Sequence, residues 1–160
     1  MPLLVNLRHL EDKNLSLKGT LDPSDLDYEP LDEVIHVEKP LRYDLEVQQL
    51  EPGLLVRGSL RLDLRCECVR CLKLFDYKLA LEDWVCHVPL EGEEKAPVTN
   101  DCVDLTPYLR EDTLLAFPQH PLCETECRGL ANSALNRESP ESPQEADKAS
   151  VWAELNKLKL

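Results

Sequence analysis

The chain has 160 residues, which suits one ordinary domain with its own hydrophobic core. Its formal net charge of −13 excludes a surface that is basic throughout, although a local basic stripe is still compatible with it. The longest apolar runs are too short for a signal peptide or a membrane span. We therefore expect a cytoplasmic protein whose seven cysteines are reduced, a state that favours metal binding over disulfides.

Three segments with strand-like patterns lie in the first third of the chain. Residues 3–9 and 14–21 are candidate short strands, and residues 22–25 form a turn or a helix start. Residues 41–50 alternate between apolar and polar side chains, which is the period of a strand with one buried face. The sequence Glu51-Pro52-Gly53 supplies a turn at the end of this strand.

Two longer alternating segments follow that turn. Residues 54–67 place leucines on one face and charged residues on the other, and a third strand begins at Phe75 and runs toward Val88. Short turns between the three strands predict an antiparallel meander. Cys68 and Cys71 then lie at the tip of a hairpin, where backbone amides can face the sulfurs of a metal-binding knuckle.

The remainder of the chain predicts a loop, a helix, a linker and a second helix. Residues 89–101 are polar and contain Gly and Pro, whereas residues 104–116 carry a helical apolar stripe. Residues 131–149 lack large apolar side chains and predict a flexible linker, and residues 150–160 predict a short amphipathic helix. The expected fold is α+β, with an antiparallel β meander or barrel-like sheet and two or three short helices, in a domain over residues 1–130.

Two close pairs of cysteines are the strongest chemical signal: Cys68 with Cys71, and Cys123 with Cys127. Together they supply the four soft ligands of a closed tetrahedral zinc site, which leaves no open position for chemistry. The pattern favours a metal-stapled binding or assembly module over an enzyme. Two alternatives stay open, since the sulfurs can pack without metal as small hydrophobes and His120 can replace one ligand. Dithiol catalysis is less favoured, because the first pair lies between strands and does not open a helix.

A net-positive stretch inside this acidic chain is the candidate contact surface for RNA or for a protein partner. Its arginines are Arg57, Arg61, Arg65 and Arg70. The first three share one strand face, where clustered arginines can contact RNA phosphates. The alternative is an ordinary solvated face, with cross-strand ion pairs to Asp44 and Glu46.

Several short motifs occur in an order that resembles one protein family. The segment Cys68-Val69-Arg70-Cys71-Leu72 resembles the C-x-R-C-L signature of the YceD family, the large ribosomal RNA subunit accumulation proteins. Residues 114–118 are similar to the L-x-L-P segment of that family, and residues 121–130 to its L-C-x-x-x-C-x-G-L stretch. Residues 152–158 resemble its closing L-x-x-L helix.

The resemblance implies a non-catalytic, bacterial ribosome-biogenesis factor that supports the accumulation or processing of large-subunit (23S) ribosomal RNA. Its partner would be the precursor RNA, with no membrane and no small-molecule substrate. The acidic composition leaves an alternative, a protein-only adaptor for a basic ribosomal protein or nuclease. Many family members carry a further C-x-x-C-G where residues 131–135 stand here. In this chain, therefore, only the two cysteine pairs together can complete a four-cysteine site.

Overall fold

A computed structural model describes residues 1–11, 13–28 and 33–130 of the chain. The predicted linker at 131–149 and the predicted helix at 150–160 lie outside the described residues. The strands are β1 (Leu4–Asn6), β2 (Leu15–Leu21), β3 (Ile35–His36), β4 (Leu41–Leu50), β5 (Gly53–Glu67), β6 (Leu74–Pro89), β7 (Val98–Thr99) and β8 (Cys102–Asp104). The helices are a 3₁₀ turn (Leu7–Leu10), α1 (Pro23–Leu26) and α2 (Thr106–Leu115).

The larger sheet is built on the predicted meander of β4, β5 and β6. All its pairings are antiparallel; β2 lies beside β4, and β3 pairs with the distal end of β5. Among the described residues the sheet stays open, because β2 pairs only with β4 and β6 only with β5. The structure is thus α+β, as expected, but a barrel-like sheet is not supported. The apolar face of the sheet is covered instead by residues of the smaller sheet and α2, which share its core.

Strand β5 is the centre of the hydrophobic core. Its inward residues are almost completely buried: Leu54, Val56, Leu60, Leu62, Leu64 and Cys66. The alternation predicted for this segment is confirmed by these side chains, and burial raises the pKa of the Cys66 thiol. From the smaller sheet and α2, Val5, Val103, Leu105 and Leu109 complete the same core. Burial of this kind contributes roughly 1.5–3 kcal/mol for each large aliphatic side chain.

A β-bulge in β6 changes which of its residues face the core. Gly58 pairs with Trp84 whereas Leu60 pairs with Leu81, so β6 has one residue more than β5 over this interval. Even-numbered residues from Trp84 onward therefore face inward, although odd-numbered residues do so before the bulge. A Cβ at position 58 would lie only 2.0 Å from the carbonyl oxygen of Asp44 on β4, so only glycine fits at this position.

The small sheet, in the order β1-β8-β7, lies next to α2 in the chain. Helix α2 begins at Thr106, within the predicted segment 104–116, and Asp104 accepts a hydrogen bond at 2.9 Å from the backbone N–H of Thr106, as a capping residue does. Predicted strand 3–9 is shorter than expected, because the chain turns into a 3₁₀ helix after Asn6. None of the helices in the described residues is long and apolar enough to cross a membrane.

Candidate metal centre

The first cysteine pair lies in the tight turn that joins β5 to β6. The backbone N–H of Cys68 donates to the carbonyl oxygen of Lys73 at 2.9 Å, and that of Leu72 donates to the carbonyl oxygen of Cys68 at 2.9 Å. Leu72 itself has a positive φ of 60°, which tightens the turn. The hairpin tip predicted from the alternating strands is therefore confirmed, and its backbone holds Cys68 and Cys71 on one side of the turn.

The second pair reaches the tip on the segment that follows α2. The backbone N–H of Val69 donates to the carbonyl oxygen of Pro121 at 3.0 Å. One guanidinium nitrogen of Arg70 donates to the carbonyl oxygen of Cys127 at 3.1 Å. Within the second pair, the N–H of Cys127 donates to the carbonyl oxygen of Glu124 at 3.2 Å. The first two of these bonds hold the hairpin tip beside the segment that follows α2.

The four sulfurs of the two pairs form one compact cluster. The Sγ atoms of Cys71 and Cys123 are 3.6 Å apart, and those of Cys68 and Cys127 are 3.8 Å apart. All four lie within 4.8 Å of one another. In a tetrahedral site with Zn–S bonds of about 2.3 Å, neighbouring sulfurs are about 3.8 Å apart. The spacing and the donor set therefore fit a four-thiolate metal site.

The surroundings of the cluster shift the pKa values of two of its thiols in opposite directions. Backbone N–H groups, first that of Cys123 and then that of Cys71, donate to the sulfur of Cys68 and lower the pKa of this buried thiol to about 6. The pKa of the Cys123 thiol is raised to about 12, mainly by its hydrogen bond with Cys71. Four crowded sulfurs cannot all ionise without a compensating positive charge, which a bound cation supplies.

Other candidate ligands stay outside this cluster. Among the described residues the group contains only the four cysteines of the two pairs, so His120 does not replace a ligand. Cys66 is a core residue, and Cys102 lies in β8. Cys86 lies on β6, where burial raises the pKa of its thiol to about 11. The two cysteine pairs are thus the residues that the fold brings together.

Comparison with known proteins identifies the family. The sequence profile described as "Large ribosomal RNA subunit accumulation protein YceD" matches residues 56–159, which include both cysteine pairs. The chain belongs to the YceD family. It is also 27% identical over 109 residues to an uncharacterized protein of Mycobacterium leprae (strain TN), in a match that covers 61% of this chain. The chain spans about half, 48%, of the length of that curated relative. No solved structure matches the chain.

In this YceD-family chain, each arginine of the predicted contact face has a carboxylate partner on a neighbouring strand. Arg57 pairs with Glu46 at 3.1 Å, Arg61 with Glu82 at 3.1 Å, and Arg65 with Asp76 at 3.0 Å. The alternative of cross-strand ion pairs is thus confirmed for Glu46, whereas Asp44 pairs with Lys18 at 2.8 Å. The two carboxylate partners on β6, Glu82 and Asp76, were not predicted from the sequence. The alternation of β6 indicated that Asp76 faces outward, but not which side chain it meets.

Arg70 differs from the three arginines of the sheet face. It lies at the exposed tip, and within the described residues its guanidinium donates to a backbone carbonyl and not to a carboxylate. The structure therefore divides the four predicted contact residues into a neutralised group on the sheet and one arginine beside the cysteine cluster. Whether any of them contacts RNA or a protein stays a prediction.

Proposed function

We propose that this chain is a non-catalytic ribosome-biogenesis factor that supports the accumulation or processing of large-subunit (23S) ribosomal RNA. The family match over residues 56–159 carries the proposal. The matched region begins in β5 and contains most of the β5–β6 hairpin and both cysteine pairs, so it includes the most distinctive structural feature of the chain. A closed four-cysteine cluster supports a binding or assembly role, because it presents no free coordination position to a substrate.

We also propose that the metal is one zinc ion per chain, held by Cys68, Cys71, Cys123 and Cys127. Four thiolates select zinc over harder cations, and a reducing cytoplasm keeps them available. The ion would act as a structural cross-link between the hairpin tip and the segment after α2. Arg70 would stabilise the site, since a zinc tetrathiolate carries a net charge of −2. Elemental analysis of protein purified without chelator should give about one zinc per chain; sub-stoichiometric metal would contradict the proposal.

A second candidate function is an acidic, protein-only adaptor for a basic ribosomal protein or nuclease. The observation that favours it is the neutralisation of Arg57, Arg61 and Arg65 by carboxylates. An RNA phosphate would have to displace those partners before it could bind the guanidinium groups. The net charge of −13 offers a basic protein the complementary field.

Depletion of the chain from its host tests the proposed role in ribosomal RNA accumulation. We expect the ratio of 23S to 16S ribosomal RNA to fall and to recover when the wild-type chain is supplied in trans. A ratio that is unchanged after depletion would overturn the proposal. The Cys71→Ser variant, supplied in the same way, reports whether the metal cluster is needed for the role.

Crosslinking in cells, with RNA and protein partners scored together, separates the two candidate mechanisms. Direct RNA binding predicts 23S crosslinks that weaken steeply with salt and are lost in a variant with Arg57, Arg61 and Arg65 changed to Gln. The adaptor predicts capture of a basic protein that survives nuclease treatment. A matched control is Arg42→Gln, which alters another ion-paired arginine of the same sheet. Disulfide-exchange activity above background would instead support the dithiol alternative.

A further inference from the structure

The outer edge of β6 is open in the part of the chain that the structure describes. There, β6 pairs with β5 on one side and with no strand on the other. An open edge presents a row of unpaired backbone N–H and C=O groups that can accept another strand. The bulge that lies before Trp84 interrupts this edge, so the regular part is the stretch from Leu74 to Leu81.

The regular stretch is complementary to itself when it is turned antiparallel about Tyr77. On the inward face, Phe75 would lie opposite Leu79 of a second copy, and Tyr77 opposite itself. On the outward face, Asp76 would lie opposite Lys78, and Lys78 opposite Asp76. The inward row thus places apolar side chains against apolar side chains, and the outward row places opposite charges against each other.

Each copy has the charged atoms free for this pairing. Arg65 contacts Oδ1 of Asp76 at 3.0 Å, and the carboxylate keeps a second oxygen, Oδ2. Lys78 is exposed and makes no ion pair with a described residue, and the Asp63 opposite it on β5 is engaged by Arg42 at 3.3 Å and by Lys39 at 3.5 Å. Within the described residues, one carboxylate oxygen and one ammonium group per copy are therefore unengaged on the solvent face of this edge strand.

The charges also select one register. A shift of two residues in one direction places Asp76 opposite itself, and a shift in the other direction places Lys78 opposite itself, so both neighbouring registers bring like charges together. Strand β2, which forms the edge of the larger sheet beside β4 in the described residues, has Lys18 as its only charged residue, so no register gives it an opposite charge. A single lysine on an edge strand commonly protects that strand against pairing with another chain. The charge pattern of β6, by contrast, is complementary to the same strand of a second copy.

We propose that residues 74–80 of β6 pair antiparallel with the same residues of a second copy of the chain, about a two-fold axis at Tyr77. The pairing would join the two larger sheets into one continuous sheet across the dimer. It would also cover part of Leu74, which is 54% exposed, and the half-buried Phe75 and Tyr77. Because only about seven residues pair in each copy, the interface is smaller than a standard one and the dimer should be weak and reversible.

Charge reversal at the two paired positions tests the proposal. Sedimentation of the full chain over a concentration series should show a monomer–dimer equilibrium. Lys78→Glu and Asp76→Lys should each shift the chain to monomer, because like charges then face each other across the axis. An equimolar mixture of the two variants should recover the dimer as a heterodimer, in which every facing pair is again of opposite charge. Lys18→Glu, on the β2 edge, is the control and should leave the equilibrium unchanged.

Three results would each overturn the proposed dimer. A wild-type chain that stays monomeric over the whole series contradicts it, and so does a dimer that persists in Lys78→Glu. Single variants that are monomeric but do not recover a dimer when mixed also contradict it. Circular dichroism and thermal unfolding of each variant establish that the monomers are folded. The proposal is independent of the ribosomal RNA role, so either can fail without the other.

Discussion

The two ends of the β5–β6 hairpin are held in different ways. At the base, the inward residues Val56, Leu60 and Leu62 are buried in the common core, and the outward charges are paired across strands. At the tip, Val69 and Leu72 are 41% and 57% exposed, and the segment is joined to the rest by backbone hydrogen bonds and a sulfur cluster. Apolar burial therefore stabilises the base, whereas the tip depends on what the four cysteines bind.

Metal removal should have the largest effect on stability, and the tip should be the part of the chain that then opens locally. If free zinc is about 1,000-fold above its dissociation constant, its loss lowers the free energy of unfolding by roughly 4 kcal/mol. After chelation, amide hydrogen exchange should accelerate at residues 68–73 and 121–127 while β5 stays protected. Cys71→Ser should behave like the chelated protein, and Cys102→Ser like wild type. Exchange in β5 that becomes as fast as exchange at the tip would contradict the division between base and tip.

Truncating a core side chain should have the opposite consequence: the base is destabilised while the metal at the tip is retained. Leu62→Ala removes a completely buried side chain and should lower the free energy of unfolding by about 3 kcal/mol. Because the cysteines are untouched, the folded variant should keep its metal content. Urea unfolding together with metal analysis measures both quantities. Loss of metal from the folded variant would show that the tip depends on the base more than the structure indicates.

Neutralising the arginines of the sheet face should change stability only slightly. Each of the exposed pairs formed by Arg57, Arg61 and Arg65 is expected to contribute about 0.2–1 kcal/mol. Changing all three to Gln should therefore lower the unfolding temperature modestly at low salt and less at high salt, where the pairs are screened. A large loss that persists in high salt would assign these side chains a packing role.

The smallest predicted effect is the pH dependence of stability that comes from Cys86, a thiol at the base of the hairpin and outside the sulfur cluster. Burial, followed by the charges of Asp112 and Glu111, raises the pKa of Cys86 from 9.0 to about 11. The unfolded chain loses this proton first, so the stability that Cys86 contributes should fall as pH rises from about 9 to about 11. Cys86→Ser should make the stability curve flatter in that window. An unchanged curve would contradict the burial of this thiol.

Periodicity and spacing along the chain were sufficient for the local elements. The alternation of residues 41–50 and 54–67 identified β4 and β5 because side chains of a strand point to opposite faces. The two cysteines just after β5 were correctly placed in a hairpin turn for the same reason. The spacing of the second pair, after the prolines that follow α2, indicated a common site but not the hydrogen bonds that bring it to the tip.

The sequence by itself determined the strands of the meander, the hairpin tip and the four candidate ligands, because each depends on residues close together in the chain. Only the tertiary structure decided that the larger sheet stays open over the described residues and that the sheet arginines are neutralised. Those features depend on the register and twist with which strands pair, and one extra residue in β6 reverses the faces of every residue after it. The approach of the sulfurs to within 4.8 Å likewise required the fold to bring two distant segments together.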